Sequence, residues 1–294
     1  MGKYLPILLA AQYGSLNKAA SLLGYAQPSM MYIINKMEDE LGVKLFYRTK
    51  RGVTPTPAGS KLLEVMAEIE EQEANIRHIA QSYQEDQLRI GTFPGMPGRW
   101  ISGLLAAMGK EKPDTRVMLE TFSRYQDGLE AVKRSTLSCS FSAIADPSGV
   151  DALPLRDDPY FLVLAADHPL ARYESLSLAE VLGTVPLIQN PESYDPGGVL
   201  WEFYQKTENV FLADSTPPDY IFSLSLTEQG LGATLLPGLL LDEFPQRDAL
   251  RFLPLTDGPR RTLTLLCPKK ADRSAAVNDF IDLVERFVKE TAAQ

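Results

Sequence analysis

The stretch over residues 15–41, SLNKAASLLGYAQPSMMYIINKMEDEL, constrains the fold through its punctuation. Gly24 suits the left-handed backbone that ends a helix, and Pro28, four residues on, suits the first turn of another. Two helices joined only by Gly24, Tyr25 and Ala26 must cross at a steep angle, and the small side chains of Ala19 and Ala20 let them approach closely. Asn17 is placed to cap the first of the pair. A further short helix over residues 4–12 precedes them, so the head reads as three helices.

The second helix of the pair carries the apolar run Met30, Met31, Tyr32, Ile33, Ile34. At 100° per residue this run divides. Met30, Ile34, Met37 and Leu41 share one stripe, the spacing of a buried face, with Ile33 at its border. Pro28, Ser29, Tyr32, Asn35 and Lys36 lie on the other side, and Met31 is marginal. The same helix therefore holds a core and presents a surface.

Two short strand-like runs, KLFYR and GVTP, flank TKRG, which suits a hairpin tip brushing a phosphate backbone with Lys50 and Arg51; Arg48 lies just before it. Thr56 followed by Pro57 then opens a long helix that the pattern carries to about Tyr83. Within it Leu62, Val65, Ile69, Gln72, Ile76, Ile79 and Tyr83 recur in steps of three and four. Such a seam is too narrow for a globular core and reads as a dimerisation helix.

Charge separates the head from the rest. Residues 1–60 hold seven basic side chains against three acidic, +4, which leaves −13 for the remainder of a chain whose formal net charge is −9. A basic head on an acidic body is the asymmetry of a protein that meets phosphates at one end only. No apolar run approaches the roughly 18 residues of a membrane span. The opening MGKYLPILLAAQYG is broken by Pro6 and lacks a signal-peptide cleavage pattern, so a cytoplasmic location is expected. The two cysteines, Cys139 and Cys267, stand in apolar surroundings and read as reduced, buried thiols.

The order GSLNKAASLLGYAQPSMMYIINKMEDELGVKLFYRTKRGVTPTPAG resembles the winged helix-turn-helix of LysR-type transcriptional regulators. The resemblance continues through AADHPLA at 165–171 and EQGLGATLLP at 228–237, and so spans essentially the whole chain. It implies a homodimer or homotetramer that binds promoter DNA through the head and a small-molecule effector through the carboxyl-terminal domain. The DNA contacts would come from Gln27, Pro28, Ser29, Met31, Tyr32, Asn35, Lys36, Arg48, Lys50 and Arg51. This chain departs from the family pattern at Ala26, where a capping Ser or Thr is usual, and at Met31, Tyr32 and Ile33, where polar base-reading residues are usual.

From about Gln87 the chain alternates strand-like and helical segments: QLRIGTF, RWISGLLAAMG, RVMLETF, YQDGLEAVKR and SCSFSAIA form a first half. YFLVLAADHPLA crosses to a second lobe, RTLTLLCP crosses back, and a helix over residues 275–289 closes the first. Alternation of this kind predicts parallel strands with helices on both faces. The expected fold is thus α/β: a winged helix-turn-helix at 1–60, a linker helix at 57–84, and at 85–294 a two-lobed effector domain similar to periplasmic binding proteins. Lobe I is placed at about 87–162 with 267–294, lobe II at about 163–266. Ligands in such sheets sit outside the carboxyl ends of strands, which nominates Thr92, Phe93, Gly95, Met96, Ser123, Ser142, Asn190 and Thr216. The loop GTFPGMPG, leading into a helix start, suits an anionic effector.

Enzyme signals are thin. His78 and His168 are the only histidines, and there is no clustered His/Cys metal spacing, no GxxxxGK loop and no G-x-S-x-G elbow. No cofactor or metal is expected. A ligand-responsive DNA-binding regulator is the leading reading; a solute-binding or scaffold protein with a vestigial head is the alternative, and an enzyme built on the two-lobed body a distant third.

Overall fold

The computed structural model describes residues 2–49, 52–82, 87–207, 210–211, 219–244 and 248–292, which form two compact units, Met1–Ala80 and Gln81–Gln294. In the first unit, helices α1 (Leu5–Tyr13), α2 (Leu16–Leu23) and α3 (Gln27–Leu41) are followed by strands β1 (Phe46–Thr49) and β2 (Gly52–Pro55) and by helix α4 (Pro57–Ser82). Gly24 takes φ 68°, as the three-residue turn requires, and Gly42 ends α3 in the same way. The cap of α2 is Ser15, whose hydroxyl accepts from the Lys18 backbone N–H at 3.3 Å; Asn17, expected in that role, sits one residue inside the helix. Ala26 caps α3 with no side-chain bond, as its methyl group dictates.

Ile7, Ala10, Ala19, Ala20, Met30, Ile34, Met37, Leu45, Phe46 and Val53 make the core of this unit, joined by Leu63 and Met66 of α4. Burial of each larger side chain contributes about 1.5–3 kcal/mol. Leu41 departs from the expected stripe and is exposed, because α3 ends there and the chain turns away. β1 and β2 pair antiparallel from Phe46↔Pro55 to Thr49↔Gly52, forming the wing. Beyond the core contacts, α4 leaves Val65, Ile69 and Ile76 exposed within the unit, while Leu62 is partly covered. Tyr83 lies outside the described residues.

The second unit runs β3 (Gln87–Thr92), α5 (Gly98–Glu111), β4 (Arg116–Thr121), α6 (Tyr125–Lys133), β5 (Cys139–Ser142), β6 (Asp151–Ala165), α7 (Leu178–Val181), β7 (Leu187–Ile188), α8 (Val199–Gln205), β8 (Val210–Phe211), α9 (Tyr220–Glu228), β9 (Ala233–Pro237), β10 (Leu250–Pro254), β11 (Arg260–Cys267) and α10 (Ala275–Ala292). The strands lie in the order β4-β3-β5-β11-β6-β9-β7-β8, with β10 also on β6. β3 is parallel to β4 and β5, and β7 to β8 and β9, whereas β6 and β11 run antiparallel to their neighbours. The sheet is therefore mixed, since strands that cross between lobes must reverse direction.

β6 makes the connection. Its first part pairs with β11, from Asp151↔Cys267 to Pro159↔Arg260, and its last part pairs with β9 and β10. One core gathers Leu88, Ile90, Trp100, Leu129, Phe141, Leu263, Leu265 and Phe280, and a second gathers Tyr160, Leu162, Leu164, Leu187, Leu200 and Leu235. The two lobes meet near Asp158–Tyr160 on β6 and Arg261 on β11. No helix among the described residues is long and apolar enough to cross a membrane.

Candidate functional site

In the head, the buried face of α3 turns its opposite face to solvent. Gln27, Pro28, Ser29 and Lys36 are exposed, Tyr32 is 67% exposed, and Met31 and Asn35 are half-buried. A groove of about 290 Å³ runs beside this face, lined by Ser15, Leu16, Asn17, Gln27 and Met31 and by Arg48, Thr49, Gly52 and Val53 of the wing. Lys36 has no ion-pair partner among the described residues, so its charge is open to solvent.

Arg48 is placed differently from a free phosphate contact. Its Nη2 donates to Asn35 Oδ1 at 2.7 Å and to Glu38 Oε2 at 3.3 Å, and its Nη1 meets Met31 Sδ at 2.8 Å. Glu38 is buried at the base of the wing, where its carboxylate also accepts from Lys44 Nζ and from the backbone N–H groups of Leu45 and Phe46. Burial would raise the pKa of Glu38; these four partners outweigh it and hold the carboxyl below its usual range. Glu38 thus ties strand β1 to α3, and Arg48 joins the wing to α3 through Asn35 and Met31. Lys50 and Arg51 lie outside the described residues.

In the second unit, Arg261 is 1% exposed. It is in phase with Leu263 and Leu265 on β11, so its side chain enters the interior. There Nε and Nη2 reach Asp158 Oδ2 at 2.9 and 2.8 Å, Nη1 donates to Glu192 Oε1 at 2.6 Å, and Nη2 donates to the Gly95 carbonyl at 2.8 Å. Tyr220 also donates to Glu192 Oε1; Tyr125, at 2.8 Å, and Tyr160 donate to Oε2. Burial, reinforced by the Glu192 charge, pushes all three phenols well above their usual pKa, which keeps them as donors. Burial likewise raises the carboxyls of Asp158 and Asp195, offset only in part by Arg261 and by backbone donors respectively.

The residues nominated from sequence divide around this cluster. Gly95 touches it: a Cβ there would stand 2.1 Å from Glu192 Oε1 and would require the Glu192 and Arg261 side chains to shift. The Phe93 ring lies 5.6 Å from the Arg261 guanidinium carbon and packs edge-on to Tyr125. Asn190 is fully buried and builds the turn that presents Glu192, accepting from the Glu192 N–H and donating to the Leu235 carbonyl at 2.6 Å. Met96 belongs to the first lobe's core, Ser142 spends its hydroxyl on the Ile144 N–H, Thr92 is partly buried, and Ser123 is exposed. Thr216 lies outside the described residues. Tyr125, Asp158, Tyr160, Glu192, Tyr220 and Arg261 were not nominated. Arg261 alone carried a signal, a charge in register with leucines on an apolar strand.

The alternating architecture and the helix–turn–helix with its wing now stand beside what the chain is similar to. A family model described as bacterial regulatory helix-turn-helix protein, lysR family, matches residues 7–60, and one described as LysR substrate binding domain matches residues 81–289. The chain belongs to the LysR family. Its relatives include the Hca operon transcriptional activator HcaR of Escherichia coli K12, 30% identical over 290 residues and 96% of each chain. The transcriptional dual regulator OxyR of the same organism is 27% identical over 88% of this chain and 86% of its own. Among solved structures, full-length CbnR complexed with its target DNA has a TM-score of 0.71 at 18% identity, covering 98% of this chain and 100% of that one, which establishes likeness of fold. As a LysR-family member this chain is a DNA-binding transcriptional regulator.

Cys139 and Cys267 are opposed on neighbouring strands, both buried, with Sγ atoms 3.8 Å apart. Their mutual hydrogen bond and burial push the Cys139 thiol well up, away from the reactive thiolate. Neither is expected to be alkylated by iodoacetamide in the native LysR-family protein, and both on unfolding. Mass spectrometry checks this, and rapid native labelling would contradict it.

Proposed function

We propose that this regulator reads promoter DNA with the exposed face of α3, works as a homodimer or homotetramer held through α4, and responds to a small molecule at the junction of its two effector lobes. The observation that carries the reading is the division of α3: Met30, Ile34 and Met37 are buried while Gln27, Ser29, Tyr32 and Lys36 stand open beside the wing groove. A helix supported in this way can enter a major groove, with the wing on the flanking backbone. The relative HcaR is named an operon activator and OxyR a dual regulator, which supports a role at promoters. The domain limits follow from this: a DNA-binding head to about residue 60, the α4 linker, and an effector domain from about 85. We further propose that the protein acts in the cytoplasm, has no enzymatic activity and needs no cofactor. A solute-binding or scaffold protein with an idle head is the poorer reading, because residues 7–60 match the family's helix-turn-helix model and the wing is fixed against α3 through Glu38.

Oligomerisation gives the test. Val65, Ile69 and Ile76 leave an apolar stripe on α4 open to a second copy. Charge at two of these positions, as in V65E/I76E, is expected to give monomers in sedimentation with the melting temperature of the head little changed. Affinity for a two-half-site DNA should fall at least tenfold, since each head then binds alone. A variant that stays dimeric and binds as the parent does overturns the seam.

A further inference from the structure

Glu192 places a buried carboxylate at the junction of the two lobes. It is 5% exposed, sits on the short turn Pro191–Tyr194, and each of its carboxylate oxygens takes two donors. Those donors come from separate parts of the effector domain: Tyr125 from the first residue of α6 in lobe I, Tyr160 and Arg261 from the crossing strands, and Tyr220 from the start of α9 in lobe II. Two oxygens in one plane with four converging donors is the recognition geometry of a carboxylate. The backbone at Gly95 comes so near that a Cβ there would meet Glu192 Oε1 at 2.1 Å with the side chains as they stand. A second carboxylate at the same junction, Asp195, accepts from the Tyr125 N–H at 2.5 Å and so adds another lobe II to lobe I bond.

We propose that the lobe junction is a carboxylate-binding site whose occupant in this chain is its own Glu192, and that a free monocarboxylate takes the site when the Glu192 side chain is absent or withdrawn. The proposal deepens the effector reading above and rests on it. In the intact chain the tether keeps Glu192 at an effective concentration in the millimolar range or above, so a dilute free carboxylate does not compete unless it adds contacts of its own. The lobes are therefore held together by the chain itself, and an effector of this class acts by replacing one carboxylate with another. Because Glu192 ties both lobes, such an exchange carries a signal only through the difference in how the two occupants fit the joined arrangement.

The test uses acetate. Glu192→Ala removes one methylene and one carboxylate, which is the acetate ion apart from a hydrogen. Full-length E192A and wild type are melted at pH 7.5 in sodium acetate and in sodium chloride at equal concentrations, on the order of 10–100 mM. Wild type should melt alike in the two salts. E192A should melt several degrees higher in acetate than in chloride, and the gain should shrink in E192A/Y220F, which lacks one of the donors. Formate should replace acetate in part, and a bulkier carboxylate such as benzoate should not. Equal melting of E192A in the two salts overturns the proposal, and so does an E192A chain that stays unfolded in both or an acetate gain as large in wild type. Any of these failures leaves the effector reading standing, because that is measured separately, by whether a small molecule alters the DNA complex of the wild-type protein.

Discussion

Arg261→Met is expected to destabilise the Gln81–Gln294 unit by about 3–5 kcal/mol, the usual loss when one partner of a buried ion pair is removed. The guanidinium is the only cation among the described residues that contacts Asp158 and Glu192, and both carboxylates are buried with it. Without it they must be protonated or reach water, and the Gly95 carbonyl also loses its donor. For a unit of this size that corresponds to a fall in melting temperature of roughly 6–20 °C. The loss should be smaller in E192Q/R261M than in R261M alone, since neutralising Glu192 removes one of the two uncompensated charges. Thermal melts of both variants and of E192Q alone close the cycle, and a double-variant loss equal to the sum of the two single losses would show that the two groups act independently.

The second large effect belongs to the head. Ile34 is fully buried between α1, α2 and α3. Truncating it leaves a cavity in a small core with little capacity to collapse, and Ile34→Ala is expected to cost about 2–5 kcal/mol. A head of roughly 80 residues has little stability to spare. DNA binding should therefore fall through unfolding, in proportion to the population lost, with base preference unchanged in the molecules that remain folded. Circular dichroism melts alongside titration with DNA separate the two effects.

The head was readable because its signals are local. A glycine, a proline and apolar positions three and four apart lie within thirty residues, and side chains so spaced share one helix face. Small displacements followed from competing local chemistry: Ser15 caps α2 ahead of Asn17, and Leu41 falls where α3 is already ending. In the sequence Glu38 reads only as one acidic charge of the head; in the fold it is buried and accepts from the backbone N–H groups of Leu45 and Phe46. The lobe junction was far less readable. Gly95, Tyr125, Asp158, Tyr160, Glu192, Tyr220 and Arg261 come from six places along the chain and meet only because β6 and β11 cross between the lobes. Nothing in the spacing of those residues announces the meeting. Of the strand-end residues nominated, Phe93, Gly95 and Asn190 stand at this cluster, but three of its polar groups are tyrosines, which composition alone assigns to any core.

Tyr32 decides whether α3, which holds the core with one face, reads DNA with the other as proposed. Tyr32 is 67% exposed and is not a member of the buried cluster, so Tyr32→Ala should melt with the parent protein. Selection of binding sites from randomised DNA by the full-length variant should nevertheless relax one or two positions in each half-site, by about 1–3 kcal/mol of discrimination for a lost base contact. A variant that keeps its melting temperature and loses preference at those positions is the predicted result. A variant that selects the same sites as the parent, or that unfolds, would contradict it and place the reading surface elsewhere on the head.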